Sequence, residues 1–525
     1  MKATLFSALL LCASSCIFAQ SGTIDLDFDG DGFYHYYQTD QWGYGAACAY
    51  TSSGKALLAG YSLDLSGGNR YIHVNSLNPD GSLDLAFGNL GTASIDHPTD
   101  YLEASSMLVQ PDGKILVAGK LFLLNPSWSD FFIARLNPNG MLDLTFGTNG
   151  FFSTSIGVFD EIKELTLQAD GKIVVVGLTY EVFPITASDL VVARLNENGT
   201  LDQSFSFDGK LTLDLNDRDY ANAVAINSAG NIIVAGASYD DVASEEKGFV
   251  VSYNSDGTID NSFATNGIRL TNYSTGDALY GLDINSEDRI VVAGSSDVDG
   301  SSVNFMILRL NPDGTNDVSF SADGLIMVDF AGSTDIGRDV IIQPDGKVLV
   351  GGSVGNSGFN GGLVRFQANG LYDTSFGTNG KAMFSDGTDS NTFEKIHLQS
   401  DGKILAAGSS TAGSPPIRGA NMARIISGIN IGIGEVDAYI GSTLVYPNPI
   451  TNNQVTVKYD LKSDEMVSIE LFDLSGKMIA QLQPNTRQVA GSYQKTLTLP
   501  ELSAGNYLLN LNTEKGSVSV KVLAD

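Results

Sequence analysis

One phrase that returns seven times at nearly constant spacing limits what this chain can fold into more than any other feature. It runs Gln110-Pro111-Asp112-Gly113-Lys114-Ile115-Leu116-Val117-Ala118-Gly119 and recurs at 168–177, 343–352 and 399–408. Weaker copies stand at 51–60, 227–236 and 285–294. The closing glycines, Gly60, Gly119, Gly177, Gly236, Gly294, Gly352 and Gly408, lie 56 to 59 residues apart. A second phrase, LDLTFGTNG at 142–150, recurs around Phe28, Phe87, Phe146, Phe205, Phe263, Phe320 and Phe376, and a third, RLNPNG at 135–140, recurs at 194–199 and 309–314. Three landmarks in fixed order cannot be chance. Between Ile24 and Ser427 the chain is one unit of about 58 residues, repeated.

Each unit carries four strand signals separated by turn residues. In the third copy they are ELTLQ, KIVVVG, LVVARL and FFSTS. An Asp-Gly or equivalent turn joins the first two, because both turn positions tolerate positive φ. The strand before that turn alternates apolar residues in every copy, as in Cys48/Tyr50, Leu165/Leu167 and Val340/Ile342. Period two with β-branched residues predicts half-buried strands, and no segment shows a sustained helical period. Four antiparallel strands in seven copies predict an all-β, seven-bladed β-propeller; a solenoid, whose coils are usually shorter, is the alternative. The first Phe motif and its strand precede the first Gly-Lys hairpin, while the last unit stops after Ile426. Either the N-terminal strand completes the last blade, or each blade opens on the Phe-motif strand. The sequence leaves both open.

Composition narrows the partners. Acids outnumber bases 60 to 30, for a net charge of −30, and only 17% of residues are charged. Phosphate backbones need clustered Lys and Arg, so nucleic acid is excluded as a partner, and anionic lipid is disfavoured by the same repulsion. Residues 1–19 read as a secretory signal: Lys2, an apolar run from Leu5 to Leu11, and cleavage expected between Ala19 and Gln20. Lipoprotein processing at Cys16 is the rival, without the usual bulky aliphatic residue three positions earlier. No further run is long enough for a transmembrane segment. The mature chain keeps Cys48 alone, so no internal disulfide can form. The reading gives a signal at 1–19, the propeller at 20–427, a linker at 428–442 and a separate module at 443–525.

The three landmarks resemble the delta-60 repeat family of bacterial secreted proteins, whose copies carry LDxxFGxxG, QxDGKIxVxG and RLNxDG phrases. The resemblance covers about 404 of 525 residues. It implies a propeller and no reaction. In 443–525, short alternating runs such as QVTVKY, VSIELFD and SVSVKV read as a small Ig-like β-sandwich. Pro447, Asn448 and Pro449, then Gly476 and Lys477, then Gly505 and Tyr507, with Lys521 near the end, look like the sorting domain of type IX (Por) secretion. That resemblance implies handling by the type IX apparatus, passage from the periplasm across the outer membrane of a Gram-negative bacterium, and release or anchoring at the cell surface. An ordinary adhesive sandwich is the alternative.

Candidate sites are weighed against the repeat. Asp25, Asp27, Asp29 and Asp31 imitate a calcium loop, but Tyr36 stands where the bidentate Glu belongs. The stretch also aligns with six Phe motifs that lack those acids. Calcium is therefore the minor reading, and no other cofactor is expected. The Asp before each Phe motif and the Arg of the third strand (Arg135, Arg194, Arg309, Arg365, Arg424) recur per unit and so read as architecture, with Ser76 and Ser252 replacing Arg in two copies. Cys48 reads as core. The four histidines lack metal-ligand spacing, and no nucleophile elbow or phosphate loop is present. No catalytic residue is assigned, because carboxylates paired across distant repeats do not show in sequence.

What varies between copies carries more. Strand alternation puts the repeated turns on one face. The other receives segments that do not repeat, read as loops at 38–46, 97–105, 216–222, 272–279, 61–70, 120–130, 178–189, 237–248 and 409–420. They hold Trp42, Tyr44, Tyr101, Trp128, Tyr180, Phe183, Tyr220, Tyr239 and Tyr273. Aromatics beside Asp and Asn suit sugar stacking or a protein contact, unless they pack under the loops. The preferred expectation is a non-enzymatic secreted or surface propeller binding glycan or protein through this face. The alternative is a polysaccharide-active hydrolase or lyase using carboxylates there.

Overall fold

A computed structural model of the protein describes residues 21–37, 41–64, 68–97, 100–124, 127–181, 187–297, 300, 302–330, 334–355, 358–388, 390–413, 417–428, 444–451, 453–461, 463–473, 478–502, 505–513 and 516–524. Every helix or strand element among them is a strand. The signal segment, with Ala19 and Gln20, and most of the expected linker lie outside the described residues. The chain divides after Gly428 into two compact units.

In the first unit each of the first six repeats supplies four antiparallel strands in sequence order. Gln41–Tyr50, Ala56–Asp64, Arg70–Leu77 and Thr92–Ile95 form the first sheet. The fourth, fifth and sixth repeats build sheets of the same order, and the second and third are joined edge to edge through one parallel pair, Phe159 with Ser129. The Asp-Gly turns form the predicted tight hairpins, with the turn glycine at positive φ (Gly171, +82°). In the last sheet, Phe33–Tyr36 pairs with Ile417–Ile426 in the register Phe33 opposite Ala423 and Tyr36 opposite Ala420. The N-terminal strand therefore completes the last sheet, which decides between the two openings the sequence allowed.

The core is divided among the contacts between neighbouring sheets. Leu116, Ile133 and Phe146 meet Ile162, Val175 and Val191 between the second and third repeats. Phe28, Tyr34, Leu405 and Met422 meet Cys48, Leu58 and Leu77 between the last and the first. The ring thus closes on itself, and an elongated solenoid does not form. Cys48 is a buried core residue, as expected.

The second unit pairs Leu444–Thr451 with Gln454–Leu461, and Glu465–Asp473 with Met478–Gln488 and Gly505–Thr513. Val455, Val457, Tyr459, Ile469, Leu471 and Leu509 fill its own core. Pro447, Asn448 and Pro449 lie in its first strand, and Gly505 opens the strand that carries Tyr507. Lys521 lies in the final strand, Gly516–Ala524, in register with Leu508. Gly476 and Lys477 lie outside the described residues.

Candidate functional site

The innermost strand of each repeat is the one before the Asp-Gly turn, and its leading half departs from regular pairing. Register shifts fall at Gly45/Ala47, Ala104/Ser106, Ile162/Glu164, Ala221/Ala223, Leu279/Gly281 and Gly337/Asp339. The seven closing glycines make these bulges possible. A Cβ on Gly177 would run into the carbonyl oxygen of Glu161, and one on Gly236 into that of Tyr220, far inside any non-bonded contact. The same collision recurs at Gly60, Gly119, Gly294, Gly352 and Gly408. A bulge needs this close backbone approach, and only glycine permits it.

The bulged residue stands fourteen positions before its glycine in every repeat: Ala46, Ser105, Lys163, Asn222, Tyr280, Arg338 and Glu394. All seven line one cavity of about 390 Å³ at the centre of the ring, with Tyr44, Tyr61, Glu161 and Lys395. The cavity lies toward the end of the ring where the non-repeating segments gather. A position fixed by the architecture thus holds seven different side chains.

Its wall is charged, and the charges are paired. Lys163 Nζ donates to Glu161 Oε1 at 2.8 Å, and Lys120 spans Glu103 at 3.1 Å and Glu161 at 3.2 Å. Arg338 meets Glu394 at 3.4 Å and lies over the Tyr280 ring at 4.8 Å. Burial pushes the Glu161 carboxyl up, but Lys163 and Lys120 outweigh it and hold it below its ordinary value. Deeper in the channel, Lys395 donates to Glu164, from a repeat across the ring, and lies 3.7 Å from Asp339. Burial disfavours the Lys395 charge, yet Asp339 and Glu164 keep the ammonium protonated. Burial raises Glu164, whose other oxygen accepts from the Val224 amide. It also pushes Asp283 up to about 6, although that carboxylate accepts from the Ile284 and Ile342 amides.

The aromatic candidates divide. Tyr44 lines the cavity and stacks on Tyr61, centroids 4.9 Å apart and planes 17° apart, with Arg418 donating to its hydroxyl. Arg418 also lies over Trp42 at 5.2 Å. Tyr239 holds Arg218 at 4.2 Å, and the Tyr273 hydroxyl accepts from Arg269 and Asn316. Tyr101, Tyr180 and Tyr220 are half-buried strand residues, and burial pushes Tyr220 up to about 12. Trp128 is 43% exposed on a hairpin arm. Phe183 lies outside the described residues. The loop assignments need correcting: 41–46, 101–105, 218–222 and 277–279 are leading halves of innermost strands, and the other segments contain much hairpin arm. Bulges and channel-facing polar residues break the alternation that marks a strand. Sequence reasoning missed the bulge residues for the same reason, although counting back from each closing glycine finds them.

The calcium candidates do not form a ring of ligands. Asp25 is buried against Arg424 at 2.6 Å and Lys403 at 2.8 Å, while Asp27, Asp29 and Asp31 are exposed. Asp31 instead caps the Phe33 amide at 2.9 Å. Among the described residues, no group of three His, Cys, Asp or Glu is placed to hold a metal ion.

The recurring Asp and Arg tie the ring together. Arg135 donates to Asp143 at 2.8 Å, lies over Phe146 at 4.6 Å, and reaches the Glu197 carbonyl of the next repeat at 2.6 Å. Arg309 repeats all three contacts with Asp317, Phe320 and Ala368. Where Ser252 replaces the Arg, its hydroxyl donates to Asp260 at 3.2 Å.

A closed ring of four-stranded antiparallel sheets around a central cavity defines a β-propeller protein. Six segments, 110–146, 168–205, 230–263, 288–320, 343–376 and 399–418, match the family described as Domain of unknown function (DUF5122) beta-propeller. Residues 444–525 match the Secretion system C-terminal sorting domain. The chain is a propeller of that repeat type with a type IX sorting domain at its C-terminus, which implies export to the cell surface or beyond. No helix among the described residues is long and apolar enough to cross a membrane. No curated protein matches the sequence. Among solved structures, the chain is similar to a protein of unknown function from Dyadobacter fermentans (12% identity, 75% of this chain and 99% of that one, TM-score 0.39). It is similar as well to an ulvan lyase (11%, 77% and 98%, 0.40) and to the β-propeller domain of the Trilobed protease from Pyrococcus furiosus (9%, 75% and 97%, 0.40).

Proposed function

We propose that this secreted propeller is a non-enzymatic binding module that takes a glycan or protein ligand at the variable end of its ring. One observation carries the reading: the seven bulge positions differ in every repeat while the closing glycines that permit the bulges stay constant. Architecture repeats, and the side chains it leaves free to differ here all face one cavity. A second reading rests on Glu164 and Asp339, two carboxylates from different repeats that share Lys395. Paired carboxylates are the equipment of glycoside hydrolysis. Against it, Glu164 is engaged by both Lys395 and the Val224 amide, and Asp339 accepts from the Ile396 amide at 2.9 Å. These contacts favour a structural role for the pair, tying distant repeats across the channel. The test is to incubate the full-length protein with a panel of glycans and chromogenic glycosides and follow both retention and product. Retention without product is expected. Product release lost in Glu164→Gln would overturn the binder reading in favour of the enzyme.

A further inference from the structure

We infer that the central cavity takes a neutral saccharide seated on Tyr44 and Tyr61, an inference that rests on the variable end being the binding face. Shape comes first. Ala46 and Ser105 have the smallest side chains of the bulge residues and belong to adjacent repeats, so the free space lies in their sector. Tyr44 and Tyr61 flank that sector as a stacked pair. One face of each ring is covered by the other and Arg418 lies over Tyr44 at 5.7 Å, so the apolar surface left for the C–H face of a sugar ring is the outer face of Tyr61 and the edges of the pair. The volume, about 390 Å³, is within the roughly 300–1,000 Å³ of small-ligand sites.

Charge then selects the ligand. The cations of the lining already have acid partners: Lys163 with Glu161, Arg338 with Glu394, and Lys395 with Glu164 and Asp339. An anionic ligand would find no lining cation without an acid partner, and seating it there would separate an existing pair at a cost, while Arg418 beside the aromatic pair is already engaged by the Tyr44 hydroxyl and the Trp42 ring. Hydroxyl groups break nothing: they accept from Lys163 and Arg338 and donate to Glu161 and Glu394. The field of the whole molecule acts in the same direction, because a net charge of −30 repels polyanions on approach. Uronate and sulfated chains are disfavoured at both ranges.

The experiment is titration calorimetry of the full-length protein with neutral oligosaccharides (gluco-, xylo- and manno-series) and with oligogalacturonate and oligoalginate. At least one neutral series is expected to bind, with affinity unchanged within about twofold when salt is raised, since no ion pair forms with the ligand. Ser105→Trp and Ala46→Trp each fill the sector and are expected to weaken that binding by about tenfold or more. Thermal melting confirms that at least one of the two is folded. Exclusive binding of the acidic probes, or of none, overturns the neutral-saccharide inference. If an acidic or peptide ligand binds and both Trp variants lose it, the variable-end reading stands alone. If a ligand's binding persists in both, that reading falls as well.

Discussion

Gly177 connects the smallest feature of the sequence to the site. Its missing side chain lets the Glu161 carbonyl sit against the neighbouring strand, which sets the bulge and turns Lys163 into the channel. Gly177→Ala is expected to cost about 1–3 kcal/mol through overpacking, measured by urea unfolding, whereas Gly230→Ala, with open space beside it, meets no clash and is expected to cost about 1–2 kcal/mol through its left-handed backbone (φ +83°) alone. Two classes of acid set opposite pH dependences. Burial raises Asp283 from 3.8 to about 6, so its protonation favours the folded state, and stability rises as pH falls through 6. Urea unfolding should show a gain of about 1–2 kcal/mol between pH 7.5 and pH 5, reduced in Asp283→Asn. Asp143 behaves the other way. Burial pushes it up, but Thr145, Arg135 and Lys114 outweigh that and bring it down to about 2. Its contribution is present above 3.8 and is lost as pH falls through about 2, so unfolding below pH 4 belongs to the Asp–Arg ties. A stability curve flat from pH 7.5 to 5 would contradict the Asp283 assignment.

At the scale of strands, ring closure depends on a short N-terminal segment. Phe28, Phe33 and Tyr34 are buried against the last repeat, and Asp25 binds Arg424 as Asp373 binds Arg365 within one repeat. Deleting residues 21–37 removes those three side chains and an outer strand. A loss of at least about 4 kcal/mol is expected, seen as earlier unfolding and faster proteolysis of the last repeat. If the truncated ring is as stable as the intact one, the closure described here is wrong. Most of this architecture was legible in the sequence, because the landmarks are local: an Asp-Gly turn, an Asp three residues before a Phe, an Arg one strand earlier. What was not legible is long-range. Glu164 meets Lys395 across 231 positions, and nothing near either residue indicates the other. The closing strand was left open because Phe33–Tyr36 resembles the outer strands of the other repeats and carries no mark of its partner. Of the aromatics read from the variable segments, Tyr44 reaches the cavity, while Trp42 and Tyr239 hold arginines outside it.

For the whole molecule, the two units have separate tasks. The C-terminal domain has its own core and a sorting-domain sequence, so it should serve export and be dispensable for the ring. Deleting Leu502 to Asp525 removes its last two strands. The expected result is a folded propeller retained in the periplasm, with exported wild-type protein lacking the domain, read by mass spectrometry of secreted and cell-retained material. Normal export of the truncation, or extracellular protein ending at Asp525, would contradict the sorting role. The task proposed for the ring is to bind, and the most direct measurement is a crystal structure of the protein with a glycan or partner recovered by retention on it. The prediction is an intact ligand in the central cavity, over Tyr44 and Tyr61 and within hydrogen-bond reach of Lys163 and Glu394. A ligand on the face of the repeated Asp-Gly turns, or one cleaved beside Glu164 and Asp339, would contradict it.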